Sequence, residues 1–139
     1  MKVDIESAGG IASRVRIGSH EMVFDQPTQV PGGEDHGPSP LDVMAAAVGA
    51  CAHYFAAAFL FARKISPAGL HVTVEAAKKR VPPRFSKLSL VITLPPQVPE
   101  HYLPAIERAV RCCPAYGTLL HPPELELRFV HPPVEKPSN

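Results

Sequence analysis

The feature that most limits the possible folds of this chain is a charge-free stretch near its middle. Residues 43–62 contain no Asp, Glu, Lys or Arg, nine of these twenty residues are alanine, and no proline lies between Leu41 and Ser66. A helix that is apolar on every side must be covered all round. The length would also suit a membrane span, but the many small residues favour a helix buried in a folded core. Because 139 residues leave little else to cover it, we expect a partner subunit.

The residues before this stretch form a helix start signal. Ser39 can cap the helix, Pro40 suits the first helical position, and Asp42 places an acid in the first turn. Two basic residues, at positions 63 and 64, suit the negative end of a helix. The sequence therefore predicts a central helix over residues 39–64.

The remaining patterns predict one α+β domain over residues 1–139, with antiparallel sheets around the central helix. Weak alternation and Gly-rich turns indicate a β meander over residues 1–25. Residues 70–130 are interpreted as a ββαβ unit, whose helix stops before Pro114 and whose last strand alternates apolar and charged side chains. The tail, residues 131–139, is interpreted as frayed. The apolar positions of the last predicted strand are Leu125, Leu127 and Phe129.

Charge and composition exclude several classes of partner. Fourteen basic and thirteen acidic side chains leave a net charge of +1, and the longest basic run is Lys78 to Arg80. Aromatic residues make up 6% and Trp is absent, which disfavours a base-stacking surface. We therefore expect neither nucleic acid nor a membrane as a partner. Three cysteines cannot form a fully paired disulfide framework, and the first residues show no secretory signal, so the expected compartment is the cytoplasm.

Two cysteines occupy positions where thiol chemistry is feasible. Cys51 lies near the middle of the predicted helix, where Gly49, Ala50 and Ala52 leave room around its sulfur. Cys113 lies where the second helix is broken by Pro114. If the two helices pack together, an attacking and a resolving thiol become plausible. The alternative is that both are buried cysteines that act only as small apolar side chains.

Other readings of the polar residues are weaker. A disulfide between the neighbours Cys112 and Cys113 would be strained. The chain has no CxxC or HxxxH spacing, so neither a metal nor another cofactor is expected. His53 follows Cys51 by two residues and so points away from that sulfur on a helix. The Glu34-Asp35-His36 run is typical of a solvated loop.

Two segments resemble the OsmC/Ohr family of thiol-dependent hydroperoxide reductases. Residues 32–51 read GGEDHGPSPLDVMAAAVGAC and are similar to the family signature, and residues 111–119, RCCPAYGTL, resemble its Cys-Pro motif. The resemblance implies an intertwined homodimer whose long helices pack between two sheets, with sites at the subunit interface. It implies that Cys51 is the peroxidatic thiol and Cys113 the resolving thiol. An organic hydroperoxide would be the substrate and a dithiol reductant the electron donor.

This chain departs from the family pattern at two charged positions. The hydroperoxide reductases carry an Arg after a Gly-Gly pair and a Glu after the helix-opening proline, where this chain has Ile11 and Leu41. Burial raises the pKa of a mid-helix cysteine, so a cation is needed beside Cys51. Arg14 and Arg16 are the candidates, unless both point outward from their strands. Asp42, one position later than the family's Glu, could support the site but cannot simply replace that carboxylate, because one helical position is about 100°.

A different class of function stays open at this point. An OsmC-like protein without a cation at its cysteine could bind a small, lipid-like molecule, or serve in a stress response, without peroxidase activity.

Overall fold

The computed structural model describes residues 1–131 and has an α+β fold built from two antiparallel sheets and three helices. β1 Val3–Ser7, β2 Ser13–Ile17 and β3 His20–Phe24 form one sheet in that order, and β4 His71–Arg80 and β5 Pro83–Thr93 form a second, two-stranded sheet. The helices are α1 Pro40–Ala62, α2 Leu103–Arg111 and α3 Pro114–Leu120, and a short 3-10 turn at Glu100–Tyr102 precedes α2.

The N-terminal sheet has two faces of opposite character. Ile5 lies opposite Val15, which in turn lies opposite Met22, so these apolar side chains share one face. Ile5 and Met22 are 66% and 38% exposed, so much of this face is uncovered. The other face carries Arg14 and Arg16. The meander predicted over residues 1–25 is therefore present, and the described chain covers its apolar face only in part, since Val15 is buried.

The start of α1 is fixed as the sequence predicts. The Ser39 side-chain oxygen accepts a hydrogen bond from the Asp42 backbone N–H at 3.3 Å, and Pro40 is the first helical residue. The helix ends at Ala62, two residues earlier than predicted, and Lys64 has a left-handed φ of +58°. The central helix is thus confirmed with bounds of 40–62.

The main core lies between α1, the β4–β5 sheet and α2. A Cβ atom at Gly49 would lie 2.5 Å from Cγ2 of Val74, so glycine permits α1 to approach β4 closely. The β4–β5 strands place Val72 and Val74 on the same side, facing α1. The buried cluster consists of Ala52, Ala56, Leu60, Leu70, Ile106 and Val110.

The opposite side of α1 is uncovered. Among the described residues, Pro40–Ala62 is the one helix long and apolar enough to cross a membrane, and only 28% of its most apolar window is buried. On the uncovered side, Tyr54 is 65% exposed and Phe61 is 79% exposed. The described chain by itself therefore leaves much of this apolar helix uncovered.

The C-terminal part departs from the sequence prediction in two places. Pro114 ends the segment before it, as predicted, but it also begins α3, because proline suits the first turn of a helix. The strand predicted over residues 124–129 is not formed, and Leu125 and Phe129 are 85% and 93% exposed. A strand needs a neighbouring edge, and no described residue pairs with this segment. Most of the predicted frayed tail, residues 132–139, lies outside the described residues.

Candidate thiol site

Cys51 lies on the side of α1 that faces the C-terminal helices. It is half-buried. Among its neighbours, Gly49 and Ala52 are buried and Ala50 is exposed. Small neighbours leave its sulfur accessible to a side chain from another element, as the sequence predicts. The helix supplies no terminal amide to this sulfur, because Cys51 lies several turns from either end of α1.

Cys113 lies at the junction of α2 and α3, with 1% of its surface exposed. Its backbone N–H donates to the Val110 carbonyl at 3.0 Å, and its carbonyl accepts from the Gly117 N–H at 3.0 Å. Cys113 has extended backbone angles, which turn the chain sharply between the two helices. This turn directs the Cys113 side chain toward α1.

The two thiols meet in the fold. The Cys113 thiol and the backbone N–H of Ala115 lie close enough to the Cys51 sulfur to change its pKa. Burial, and then the Cys113 thiol, raise the pKa of Cys51, while the Ala115 amide opposes them. Reduced sulfurs in contact are the arrangement needed for an attacking and a resolving thiol.

No basic side chain of residues 1–131 is among the groups that shift the pKa of Cys51. Arg14 and Arg16 instead lie in an ion-pair network on the charged face of β1–β3. Arg14 Nε lies 3.2 Å from a Glu21 carboxylate oxygen, and Arg16 Nη2 lies 3.0 Å from Glu6. Arg16 Nε also lies 2.9 Å from Glu21. The role of these arginines at the thiolate stays a prediction, and this chain alone does not bring them there.

Asp42 likewise does not act on Cys51 but contacts other polar side chains. Its carboxylate accepts a hydrogen bond from Lys78 Nζ at 2.8 Å and one from the Ser39 hydroxyl at 2.7 Å. The Lys78 contact, and then Ser39, hold the pKa of Asp42 below its usual range. Asp42 therefore ties the start of α1 to β4. Leu41, at the position of the family's Glu, is half-buried and lines an apolar groove.

Asp25 is a structural residue that sequence reasoning missed. Its buried carboxylate accepts backbone N–H bonds from Gln26 at 2.7 Å and from Glu34 and His36, each at 3.1 Å. The His36 amide is the largest cause that lowers the pKa of Asp25. These hydrogen bonds hold the loop between β3 and α1 in its folded conformation. An acid at a strand end before a Gly-rich loop is the signal that could have revealed it.

The other polar candidates stand apart from the thiols. Cys112 is exposed at the end of α2, and His53 is exposed and lines a groove between α1 and β4 with His71. Residues 1–131 hold no group of three or more His, Cys, Asp or Glu side chains placed to bind a metal ion.

The fold and the paired cysteines define a class: α+β proteins that place a mid-helix thiol against a second thiol at a Cys-Pro turn. The OsmC-like protein family model matches residues 32–128, and the chain belongs to that family. It is a divergent member. A search of curated protein sequences finds no match.

Solved structures share the fold at low sequence identity. A candidate osmotic stress induced and detoxification response protein from Psychrobacter arcticus is 18% identical, with a TM-score of 0.76 over 85% of this chain and 87% of that one. An OsmC-like protein from Mycoplasma pneumoniae is 17% identical, with a TM-score of 0.73 over 86% of each chain. An organic hydroperoxide resistance protein OsmC from Legionella pneumophila is 18% identical, with a TM-score of 0.57 over 85% and 87%.

Proposed function

We propose that this protein is a thiol-dependent peroxidase that reduces organic hydroperoxides in the cytoplasm. The observation that carries the proposal is the contact between the Cys51 and Cys113 thiols. Membership of the OsmC-like family supports it, and a structural neighbour is described as an organic hydroperoxide resistance protein. Substrate and electron donor are assigned by chemical class only.

The proposed reaction has three steps. The Cys51 thiolate attacks the terminal oxygen of the hydroperoxide, the O–O bond breaks, and the alkoxide leaves and is protonated to an alcohol. The resulting Cys51 sulfenic acid condenses with the Cys113 thiol, which releases water and forms a disulfide. A dithiol reductant then reduces the disulfide and is itself oxidised to a disulfide. The structure helps the second step because the two sulfurs are already neighbours before oxidation.

We further propose that the active form is a homodimer. Two uncovered apolar surfaces support this, one on the outer side of α1 and one on the meander sheet. A second copy would cover both and would supply charged groups that a single chain does not bring to Cys51. Arg14 and Arg16 remain the candidates for that cation, provided that they leave their present ion pairs.

A turnover assay tests the peroxidase directly. We expect consumption of cumene hydroperoxide in the presence of dithiothreitol, and loss of this activity in Cys51→Ser. Cys113→Ser should leave a sulfenic acid on Cys51 that dimedone traps. Cys112→Ser is the matched control, since that exposed thiol contacts neither sulfur, and it should keep its rate. A Cys51→Ser protein that turns over at the wild-type rate would refute the proposal.

One observation favours a second function, that of an OsmC-like binding or stress-associated protein without peroxidase activity. Burial raises the pKa of Cys51, and no described cation opposes it, so little thiolate forms at neutral pH. Native mass spectrometry of freshly purified protein separates the two functions. A retained lipid-like ligand together with unreactive Cys51 and Cys113 would favour binding.

A further inference from the structure

The far end of the β4–β5 hairpin concentrates cations that have no carboxylate partner. Four residues there, Lys79, Arg80, Arg84 and Lys87, are called the hairpin cations below. None lies within ion-pair distance of an acidic side chain among residues 1–131, and Arg84 donates only to the Phe85 carbonyl. The neighbouring Lys78 differs, since it pairs with Asp42 at 2.8 Å.

Strand pairing places three of these cations on one face. Lys79 lies opposite Arg84, and Ala77 lies opposite Lys87, on the face of the sheet that points away from α1. Like charges directly opposite each other on paired strands repel. The nearest acid on this face is Glu75, which lies opposite Ser89. The fold therefore holds an uncompensated positive face that an external anion would stabilise.

Apolar surface adjoins these cations. The turn between the strands consists of Val81 and Pro82, and both of these residues and Pro83, the first residue of β5, are exposed, with Val81 at 79%. Beside it lies an open groove of about 550 Å³. Its lining includes Met44, Arg84, Lys87, Leu119 and Leu120.

We propose that this end of the hairpin docks on an anionic phospholipid surface. The hairpin cations would contact headgroup phosphates, and the Val81 turn would enter the interfacial layer. Nucleic acid fits less well, because no exposed aromatic ring accompanies the cations for base stacking; Phe85 is half-buried on the α1 side. Such a peripheral contact differs from a membrane span, and it revises the sequence expectation of no membrane partner.

Vesicle co-sedimentation of the full-length protein tests this inference. We expect binding to phosphatidylcholine vesicles that contain phosphatidylglycerol, little binding to pure phosphatidylcholine, and weakening as salt rises. The double variant Lys79→Gln/Arg84→Gln should bind about 25-fold more weakly, since each cation near such a surface contributes a factor of about five. Its thermal stability should not fall, because the substitution removes a repulsion.

Two further variants complete the test. Lys2→Gln/Arg108→Gln removes two cations elsewhere and should lower binding far less than the hairpin double variant. Val81→Asp should weaken vesicle binding by removing the apolar turn. The inference is overturned by equal binding to both vesicle types, by equal losses in the two double variants, or by tighter binding to duplex DNA than to anionic vesicles. None of these results depends on peroxidase activity.

Discussion

At the scale of single residues, three influences set the pKa of Cys51, and they do not all act in the same direction. Burial and the Cys113 thiol raise its pKa, and the Ala115 amide lowers it. The first two prevail, so Cys51 in this chain is protonated over a wider pH range than an ordinary cysteine. Because the thiolate is the nucleophile, reactivity should increase with pH through the neutral and alkaline range.

The pH dependence of Cys51 alkylation is the direct measurement. In a Cys112→Ser background, if the groups of the single chain alone set the pKa of Cys51, iodoacetamide labelling of the Cys51 peptide should rise with a midpoint above about 8.5, the ordinary cysteine pKa. Adding Cys113→Ala should lower that midpoint, because the Cys113 thiol is one cause of the raised pKa. A midpoint clearly below about 8.5 would contradict control by the single chain alone, and it is the result expected if a second copy brings a cation to the thiolate.

Asp25 gives a prediction about stability against pH. Its pKa is lowered in the folded chain by three backbone N–H donors, with His36 the largest cause. The stability that it contributes is therefore present above the unfolded pKa of about 3.9 and is lost as pH falls through the lower folded value. Asp25→Asn should unfold at a lower temperature at neutral pH, because an amide NH2 group would face backbone donors.

The melting temperatures at acidic pH decide whether the Asp25 carboxylate has this role. The difference in melting temperature between wild type and Asp25→Asn should shrink toward strongly acidic pH, where wild-type Asp25 is also neutral. Asp35→Asn, on the exposed part of the same loop, is the control. A difference that stays constant with pH would contradict the assigned role of Asp25.

Single residues also show what the sequence could and could not predict. Cys51 and Cys113 could be found from their positions, but their contact followed only from the family resemblance, since it requires two helices to pack. The position of Asp25 before a Gly-rich loop is a signal, but its three donors could not be named from the sequence, because they lie up to eleven positions away and meet only when the loop closes. Arg14 and Arg16 have carboxylate partners on neighbouring strands, which strand register alone decides.

At the scale of elements, the packing of α1 on β4 depends on Gly49. A Cβ atom there would lie 2.5 Å from Val74 Cγ2, and the branched Val74 side chain has little freedom to move away. Gly49→Ala should therefore lower the free energy of unfolding by about 1–2 kcal/mol, the overpacking cost less the better helix propensity of alanine. Urea denaturation measures this difference.

A second substitution separates crowding from other effects. Adding Val74→Ala to Gly49→Ala opens the space that the new methyl group needs, so the double variant should lose less than the two single losses added together. If Gly49→Ala is as stable as the wild type, the close approach of α1 to β4 is not what requires glycine at this position.

Element boundaries were predictable where the local chemistry is unambiguous. Ser39, Pro40 and Asp42 place the start of α1 within one residue of its position in the structure. Pro114 was ambiguous, since proline both ends one helix and suits the first turn of the next, and α3 was missed for that reason. The hairpin cations were also missed, because a count along the chain finds only Lys78 to Arg80 and cannot see Arg84 opposite Lys79.

At the scale of the whole molecule, the uncovered side of α1 predicts self-association. We expect sedimentation at twice the chain mass of 15.0 kDa. Ala47→Glu should shift the protein toward monomer or aggregate, because Ala47 is exposed on the side that carries Tyr54 and Phe61. Ala68→Glu, in an exposed loop, should leave the mass unchanged. A monomeric wild type would contradict the homodimer.

The same scale explains the strand that did not form. The alternation of Leu125, Leu127 and Phe129 with charged residues is suitable for a half-buried strand, but the described chain offers no edge with which it pairs. Sequence patterns indicate which faces of a strand or helix are apolar and so are more stable when buried. They do not report whether the covering surface belongs to the same chain.

The contact between Cys51 and Cys113 has a consequence for the energetics of the proposed catalytic cycle. A bond between these sulfurs would close a loop of about 60 residues and stabilise the folded chain by about 4 kcal/mol, through lost freedom of the unfolded state. The disulfide form of the protein would then be more stable against unfolding than the reduced form. The reductant therefore has to overcome this added stability, which favours a dithiol donor that forms an intramolecular disulfide when it is oxidised.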